Sequence, residues 1–136
     1  MTEAEARAFV AAHRKGVLAT IKRDGRPQLS NVLYAVGDDG RPEISVTQQR
    51  AKTRNLRRDP RASLSIQSDN WYEYVVAEGT AELFAGPDLA AALRRYYERV
   101  SGGPHPNWAE YDEAMVREQR LLIRLSIDRL YPTSDE

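Results

Sequence analysis

Six stretches of this chain alternate between apolar and polar residues, and each predicts a β-strand. They are residues 17–22, 28–36, 43–47, 62–66, 71–84 and 121–127. Asp24-Gly25 lies between the first two stretches and Asp38-Asp-Gly40 between the next two, and both sequences are typical of tight hairpins. The first three strands therefore form an antiparallel meander. Gly79, within the fifth stretch, predicts a bend or bulge.

Four further segments carry apolar residues at helical spacing. The first begins with a possible capping box, formed by Thr2 and Glu5. The second opens near Ala51, the third follows Asp88, and the fourth is capped by Asn107. Six strands with mostly local connections and a few peripheral helices predict a mainly β fold, built as a small closed barrel with helical decoration.

Composition narrows the class of protein. The 136 residues are enough for one domain, residues 1–136. The 20 Lys and Arg balance the 20 Asp and Glu, whereas a general nucleic-acid binder is usually basic overall. The chain has no cysteine, which excludes disulfides, thiolate metal ligands and a cysteine nucleophile. Because no apolar run reaches the ~20 residues that span a bilayer and the N-terminus lacks the apolar core of a signal peptide, we expect a soluble, cytoplasmic protein without a membrane or nucleic-acid partner.

The segment from Ser45 to Arg61 is the most informative part of the chain. A helix N-terminus presents unpaired amides and a partial positive charge, so cations placed there favour a bound anion. Arg50 and Lys52 occupy this position, Ser45 adds a hydroxyl at the preceding strand end, and Asn55 follows Lys52 on nearly the same helix face. These residues predict a phosphate site. A solvated helix face is the alternative that composition alone leaves open.

Two other groups offer contacts to a planar ligand. The aromatic residues near the start of the fifth strand form either a wall for a ring system or a cover for a core or dimer interface; they are Trp71, Tyr72 and Tyr74. Arg26 and Gln28 follow the first turn. Arg26 could reach an anionic tail, and Gln28 or Asn31 could bond the edge of a heterocycle. Hairpin-edge polar residues are the alternative interpretation of this second group.

No catalytic side chain and no metal site are predicted. The two histidines, His13 and His105, lie far apart in different predicted elements, which argues against a two-histidine metal site. The motifs of serine hydrolases and zinc proteases do not occur. If the protein is an enzyme, we therefore expect a bound cofactor to perform the chemistry.

Three stretches of the chain resemble one known family: Gly16–Val32, Arg50–Ser63 and Val76–Ala81. They are similar to the pyridoxamine-phosphate-oxidase-like split-barrel proteins. The run Arg-Ala-Lys-Thr-Arg-Asn-Leu-Arg-Arg-Asp-Pro-Arg, which starts at Arg50, resembles more narrowly the branch that binds the deazaflavin coenzyme F420. The likeness covers nearly the whole chain, from about residue 16 to residue 131.

This resemblance implies a six-stranded antiparallel split β-barrel that forms a homodimer, with two cofactor sites at the subunit interface. Lys52, Arg50 and Ser45 would hold the cofactor phosphate, and Asn55 would support that loop. Arg26 and Gln28 would lie near the ring or the polyglutamate tail, and an aromatic residue would come from the partner subunit. The implied cofactor-binding residues are Arg26, Gln28, Asn31, Ser45, Val46, Arg50, Lys52, Thr53, Asn55, Trp71 and Tyr74.

The resemblance also implies an F420-dependent oxidoreductase that transfers hydride to a small planar substrate. An FMN-binding oxidase or flavin reductase of the same fold is one alternative, because the phosphate argument serves both cofactors. A non-catalytic F420 carrier or binding protein is another. A nucleic-acid-binding barrel is disfavoured by the zero net charge and by the restriction of the basic cluster to one short segment.

Overall fold

The computed structural model describes residues 1–134. The helices are α1 Glu3–Ala12, α2 Ala51–Arg58, α3 Leu89–Ser101 and α4 Trp108–Arg117. The strands are β1 Lys15–Ile21, β2 Pro27–Leu33, β3 Ala35–Val36, β4 Pro42–Thr47, β5 Arg61–Gln67, β6 Tyr74–Phe84 and β7 Arg120–Tyr131. The last two residues of the predicted domain, 135 and 136, lie outside the described residues.

The strands form one antiparallel sheet in the order β2-β1-β5-β6-β7-β4-β3. The two edge strands, β2 and β3, are consecutive in the sequence and separated only by Tyr34, so the sheet curls until its edges come together. The curled sheet encloses the main apolar core, whose largest fully buried members include Tyr34, Leu18, Ile44, Leu64, Ile66, Ile123 and Leu125. A mainly β split barrel is thus confirmed. The edge strands β2 and β3 are not neighbours in the sheet order, so the barrel is split between them. The alternation alone predicted a fully closed barrel.

The described part of the chain has seven strands rather than the predicted six, and Tyr34 is the reason. Its side chain is fully buried and its hydroxyl donates to the carbonyl of Val10 at 2.6 Å, while its backbone N–H donates to the carbonyl of Arg14 at 2.8 Å. Because of these bonds, Tyr34 pairs with neither β1 nor β4. The predicted second strand therefore divides into β2, which pairs with β1, and β3, which pairs with β4.

The long strand β6 begins later than predicted. Asn70 forms a turn in which its side-chain Oδ1 accepts from the N–H of Tyr72 and its carbonyl accepts from the N–H of Glu73. Trp71 and Tyr72 lie in this turn, not in the strand. The local hydrogen bonds of asparagine therefore outweighed the β-propensity of the aromatic residues.

The predicted bulge at Gly79 is confirmed. The register between β6 and β7 shifts between Glu78 and Gly79. A Cβ atom on Gly79 would lie 1.7 Å from the carbonyl oxygen of Ser126, so only glycine permits this close approach of the two strands.

The four helices lie at the ends and outside of the sheet. The capping box of α1 is present, since Thr2 Oγ1 accepts from the N–H of Glu5 and Glu5 accepts from the N–H of Thr2. Asn107 caps α4 through the N–H of Glu110. Helices α3 and α4 pack on Leu122 of β7 and form a second apolar cluster there. None of the helices within residues 1–134 is long and apolar enough to cross a bilayer.

A buried ion network fastens α3 to the sheet. Glu43 of β4 is almost fully buried and accepts from Arg124 Nε at 2.9 Å and from Arg99 Nη1 at 3.4 Å. Arg99, near the end of α3, also pairs with the exposed Asp38 at 2.7 Å. Because α3 carries residues of the candidate site described below, this network positions one wall of that site.

Candidate functional site

The candidate site lies where β4 ends and α2 begins. Arg50 is the N-cap residue of α2 but makes no side-chain cap, and the first turn of the helix contains no acidic residue. Thr53 is fully buried, and its hydroxyl donates to the carbonyl of Thr47 at 2.7 Å, which fastens the first turn of the helix to the strand end. Leu56 is buried beneath the helix. The helix N-terminus is thus held in place by its inner face and left without an anionic cap.

Next to this helix start is a cleft of about 400 Å³. Two cations line it, Lys52 of α2 and Arg120 of β7, together with the polar side chains of Asn31 and Ser45. The rest of its wall is apolar and aromatic, formed by Val32, Leu33, Ile44, Tyr96, Tyr97, Tyr111 and Met115. None of the described residues that line it is acidic, so the cleft is suited to an anionic ligand.

Lys52 is half-buried, and no carboxylate within residues 1–134 pairs with it. Burial lowers the pKa of its ammonium group below the ordinary value, and the nearby positive charges of Arg50 and Arg120 lower that pKa further. Arg120 has a partial counter-charge, since its Nη2 lies 2.9 Å from Glu118 Oε1. An anion in the cleft would offset the positive charges of Arg50 and Arg120 that act on Lys52.

Tyrosine side chains from α3 and α4 form the aromatic wall. The hydroxyl of Tyr96 donates to the carbonyl of Leu33 at 2.8 Å, and burial raises the pKa of this phenol. The hydroxyl of Tyr111 donates to the carbonyl of Leu93 at 2.8 Å, and burial raises its pKa to about 12. Both phenols are therefore neutral hydrogen-bonding groups near neutral pH, and they leave ring surface for contact with a planar ligand.

The structure brings together only some of the residues predicted for the site. Asn31, Ser45 and Lys52 line the cleft. Arg50 adjoins it through the helix cap and acts on Lys52 electrostatically. Arg26 and Gln28 are at the β1–β2 hairpin and are not among the described residues that line the cleft.

Three other predicted residues are directed inward. Val46 is buried in the main core, and Thr53 is committed to the carbonyl of Thr47. Asn55 is buried, donates through Nδ2 to Thr20 Oγ1 at 3.1 Å and accepts through Oδ1 from Arg58 Nη2 at 3.1 Å. In the single chain Thr53 ties α2 to the end of β4 and Asn55 ties it to β1, and none of the three is among the described residues that line the cleft.

The aromatic residues predicted from the fifth strand are exposed. Trp71 and Tyr72 are 72% and 89% exposed in the turn before β6, and Tyr74 at the strand start is 42% exposed. They do not line the cleft of their own chain among the described residues.

Sequence reasoning missed Arg120 and the tyrosines of the wall. Arg120 opens β7 and is paired in register with Thr47, at the end of β4 beside the cleft. Arg120 and Thr47 are brought together only because β4 and β7 are neighbours in the sheet. The local sequence around Arg120 does not predict this pairing. Tyr96 and Tyr97 fit the apolar stripe of α3, where nothing in the sequence separates a core residue from a ligand contact.

Neither histidine lies in the cleft. His13 is stacked against Phe9, and its Nδ1 lies 2.7 Å from the carbonyl oxygen of Phe9. His105 belongs to a cluster of aromatic rings with Tyr97, Trp108 and Tyr111 beside the cleft. No group of three potential metal ligands was found within residues 1–134.

Comparison with solved structures gives several close likenesses. A conserved hypothetical protein, Rv2991 from Mycobacterium tuberculosis, is 34% identical, with 96% of this chain and 82% of that chain covered and a TM-score of 0.79. A heme binding protein from Mycobacterium smegmatis is 30% identical, and the match covers 93% of this chain and 51% of that protein, with a TM-score of 0.71. An F420 reductase is 24% identical, with 92% and 94% of the two chains covered and a TM-score of 0.70, and this likeness shows the fold alone.

The family comparison agrees with the architecture of the curled sheet. The family model described as pyridoxamine 5'-phosphate oxidase matches residues 2–134, which is nearly the entire chain. This protein therefore belongs to the pyridoxamine 5'-phosphate oxidase family of split-barrel proteins.

Proposed function

We propose that this protein is an oxidoreductase that binds coenzyme F420 by its phosphate and transfers hydride to a small planar substrate. The observation that carries the proposal is the cleft at the β4–α2 junction, where Lys52 and Arg120 converge with Ser45 and with no acidic residue among the described lining. A phosphate there would accept charge-assisted hydrogen bonds from both cations. The aromatic wall would contact an attached ring system.

The choice of cofactor rests on the sequence, not on the charges. A phosphate site serves F420 and FMN equally, and the run that begins at Arg50 resembles the F420-binding branch of the family. The likeness to an F420 reductase supports the fold of that branch. An FMN-dependent oxidase or flavin reductase is the second candidate function, because the same cleft would hold the FMN phosphate.

The cofactor would supply the two-electron chemistry, and the chain would bind and orient it. No side chain of the cleft is assigned a catalytic role. Lys52 and Arg120 would hold the phosphate, Asn31 would bond the ligand from the edge strand β2, and Tyr96 would keep one face of the cleft apolar. A non-catalytic carrier would use the same contacts, and it differs in showing tight binding without turnover of any electron acceptor.

We also propose that the working form is a cytoplasmic homodimer. Leu29, Asn31 and Leu33 alternate along the edge strand β2 and so share one face of it. Asn31 and Leu33 line the cleft, so a partner that covers this face would add a further wall to the cofactor site. The exposed pair Trp71 and Tyr72 would provide ring contacts to a second chain.

Cofactor titration tests the proposal directly. Purified protein is titrated with F420, FMN and heme, and quenching of tryptophan fluorescence gives the three dissociation constants. We expect F420 to bind most tightly, and tighter binding of FMN or heme would overturn the assignment. Mixing reduced F420 with candidate planar acceptors then separates an enzyme from a carrier.

The same titration locates the site. Lys52→Ala should weaken F420 binding by more than about tenfold, since a charge-assisted hydrogen bond is worth roughly 1.5–3 kcal/mol. Arg57→Ala is the matched control, because Arg57 is an exposed cation of the same helix that does not line the cleft. An equal effect of the two substitutions would show that general charge, and not the cleft, binds the cofactor.

A further inference from the structure

A second cavity, which we call the α3–α4 pocket, lies beside the cleft at the β4–α2 junction. It has a volume of about 360 Å³, within the range of small-molecule sites. Its walls are mostly apolar and come from the end of the β6–α3 connection and from both helices; they include Pro87, Leu89, Leu93, Met115 and Val116. Met115 and Arg120 line both this pocket and the cleft, so the two spaces are neighbours on either side of these residues.

The polar rim of the α3–α4 pocket is rich in hydrogen-bond donors. Arg120, Gln48 and Gln119 contribute a guanidinium and two amides. The carboxylate in the described lining, Asp112, is already bound by Arg94, whose Nε donates to Asp112 Oδ1 at 3.0 Å. The charge that the pocket presents to a ligand is therefore that of Arg120.

Gln119 is held in an unusual conformation at this rim. Its φ of 54° is in the left-handed region, where residues other than glycine are uncommon. The N–H of Gln48 donates to its carbonyl at 3.1 Å, and Gln49 Nε2 donates to its Oε1 at 2.7 Å. Its carbonyl and its Oε1 each already accept a hydrogen bond, and the group of Gln119 that suits a carboxylate is its side-chain NH2, a donor.

We propose that the α3–α4 pocket binds a small molecule that has an apolar body and a single carboxylate, with the carboxylate placed against Arg120 and the amide of Gln119. The apolar walls would take the body of the ligand, and each methylene buried there contributes roughly 0.8 kcal/mol. Glu118 now pairs with Arg120, but it is partly exposed and such surface pairs are weak. A ligand carboxylate can therefore replace Glu118 at little cost.

This site adjoins the one that holds the cofactor in the proposed function, and the two share Met115 and Arg120. Its ligand is recognised without Lys52, which does not line the α3–α4 pocket among the described residues. Binding in the pocket does not require F420 or FMN, so it is measured on the cofactor-free protein, and its failure would be distinguishable from failure of the proposed function.

The test uses two probes with eight-carbon chains, one with a charged head group and one with a neutral head group. Octanoate carries a seven-carbon body and a carboxylate, and octanol of similar length carries no charge. Isothermal titration calorimetry on the full chain should show octanoate binding at least about tenfold more tightly than octanol, the effect of one charge-assisted hydrogen bond. Equal affinities, or no binding of octanoate, would overturn the proposal.

Four variants locate the bound probe. Arg120→Gln should weaken octanoate at least about fivefold and leave octanol unchanged, because it removes charge but little volume. Val116→Glu should weaken octanoate more than about tenfold, since Val116 lines the pocket and is 79% exposed, so that the new carboxylate reaches the pocket without disturbing a core.

Ala91→Glu and Lys52→Ala serve as controls. Ala91 is an exposed residue of α3 that lies outside the described lining of the pocket, so the same added charge there should leave octanoate affinity unchanged. Lys52→Ala should also leave octanoate affinity unchanged. A loss of affinity in this variant would place octanoate in the cleft at the β4–α2 junction and overturn the proposal. Wild-type affinity of Val116→Glu would overturn it as well.

Discussion

At the scale of single residues, the charge on Lys52 gives the candidate site its pH dependence. Burial and the charges of Arg50 and Arg120 lower the pKa of this ammonium group, so it loses its proton at a lower pH than an ordinary lysine. A bound phosphate would favour the protonated form. We therefore expect F420 affinity to be greatest where Lys52 is protonated and to fall as the pH rises through the lowered pKa.

The expected profile is measured as the dissociation constant of F420 from about pH 7 to about pH 11, the range that spans an ordinary lysine pKa of ~10.4. Lys52→Arg is the matched variant, because an arginine stays protonated throughout and should flatten the profile. The stability of the free protein should change in the opposite sense. The unfolded chain binds more protons than the folded one between the two pKa values of Lys52, so this residue favours the folded state more as the pH rises. An unchanged profile in Lys52→Arg would assign the pH dependence to another group.

At the scale of elements, Asn55 connects α2 to the barrel. Its amide bonds the buried Thr20 of β1 through Nδ2 and the exposed Arg58 of α2 through Oδ1. Asn55→Ala removes the partner of the buried Thr20 hydroxyl and should lower the free energy of unfolding by about 1–3 kcal/mol, measured by urea denaturation. Arg54→Ala, an exposed position on the same helix, should have a negligible effect. A stable Asn55→Ala variant that has lost F420 affinity would instead show a direct ligand role.

The difference between Asn55 and Lys52 shows how far the sequence could predict the site. Charge and position placed Lys52 and Arg50 at a helix start, and the structure has them there because both depend on local sequence alone. Asn55 is three residues from Lys52, yet one of its partners, Thr20, is 35 residues away. Arg120 reaches the cleft only through its pairing with Thr47. The strands and helices were likewise predictable from local periodicity, whereas the break at Tyr34 depends on bonds to α1 and the residues that follow it.

Helix α3 depends on the ion network around Glu43. Glu43 lies between Arg99 of α3 and Arg124 of β7, and removing one partner of a buried pair leaves charge without compensation. Glu43→Gln keeps the size of the side chain but should lower the free energy of unfolding by about 3 kcal/mol in urea denaturation. Asp38→Asn is the control, because Asp38 bonds the same Arg99 from an exposed position and such pairs are worth less than about 1 kcal/mol. Similar losses of unfolding free energy in both variants would show that the burial of Glu43 does not strengthen its ion pairs.

At the scale of the whole molecule, the outer face of β2 would connect the proposed dimer to cofactor binding. Leu29 and Leu33 are 64% and 48% exposed on this edge strand, and Asn31 between them lines the cleft. If a second chain covers these leucines, it also covers the cleft, so loss of the dimer should weaken the cofactor site. Leu29→Glu places a charge on the face and should convert the protein to a folded monomer in sedimentation velocity.

The same variant should bind F420 at least about tenfold more weakly, although Leu29 itself does not line the cleft among the described residues. Val116→Glu provides the matched comparison, since Val116 is also a large exposed apolar residue but belongs to α4 rather than the sheet face. It should remain dimeric. A Leu29→Glu monomer with wild-type F420 affinity would show that one chain builds the whole site. A Leu29→Glu dimer would place the subunit contact elsewhere on the barrel. If the apolar face of β2 and the cleft at the β4–α2 junction form one functional surface, we expect Leu29→Glu to lose both the dimer and its F420 affinity.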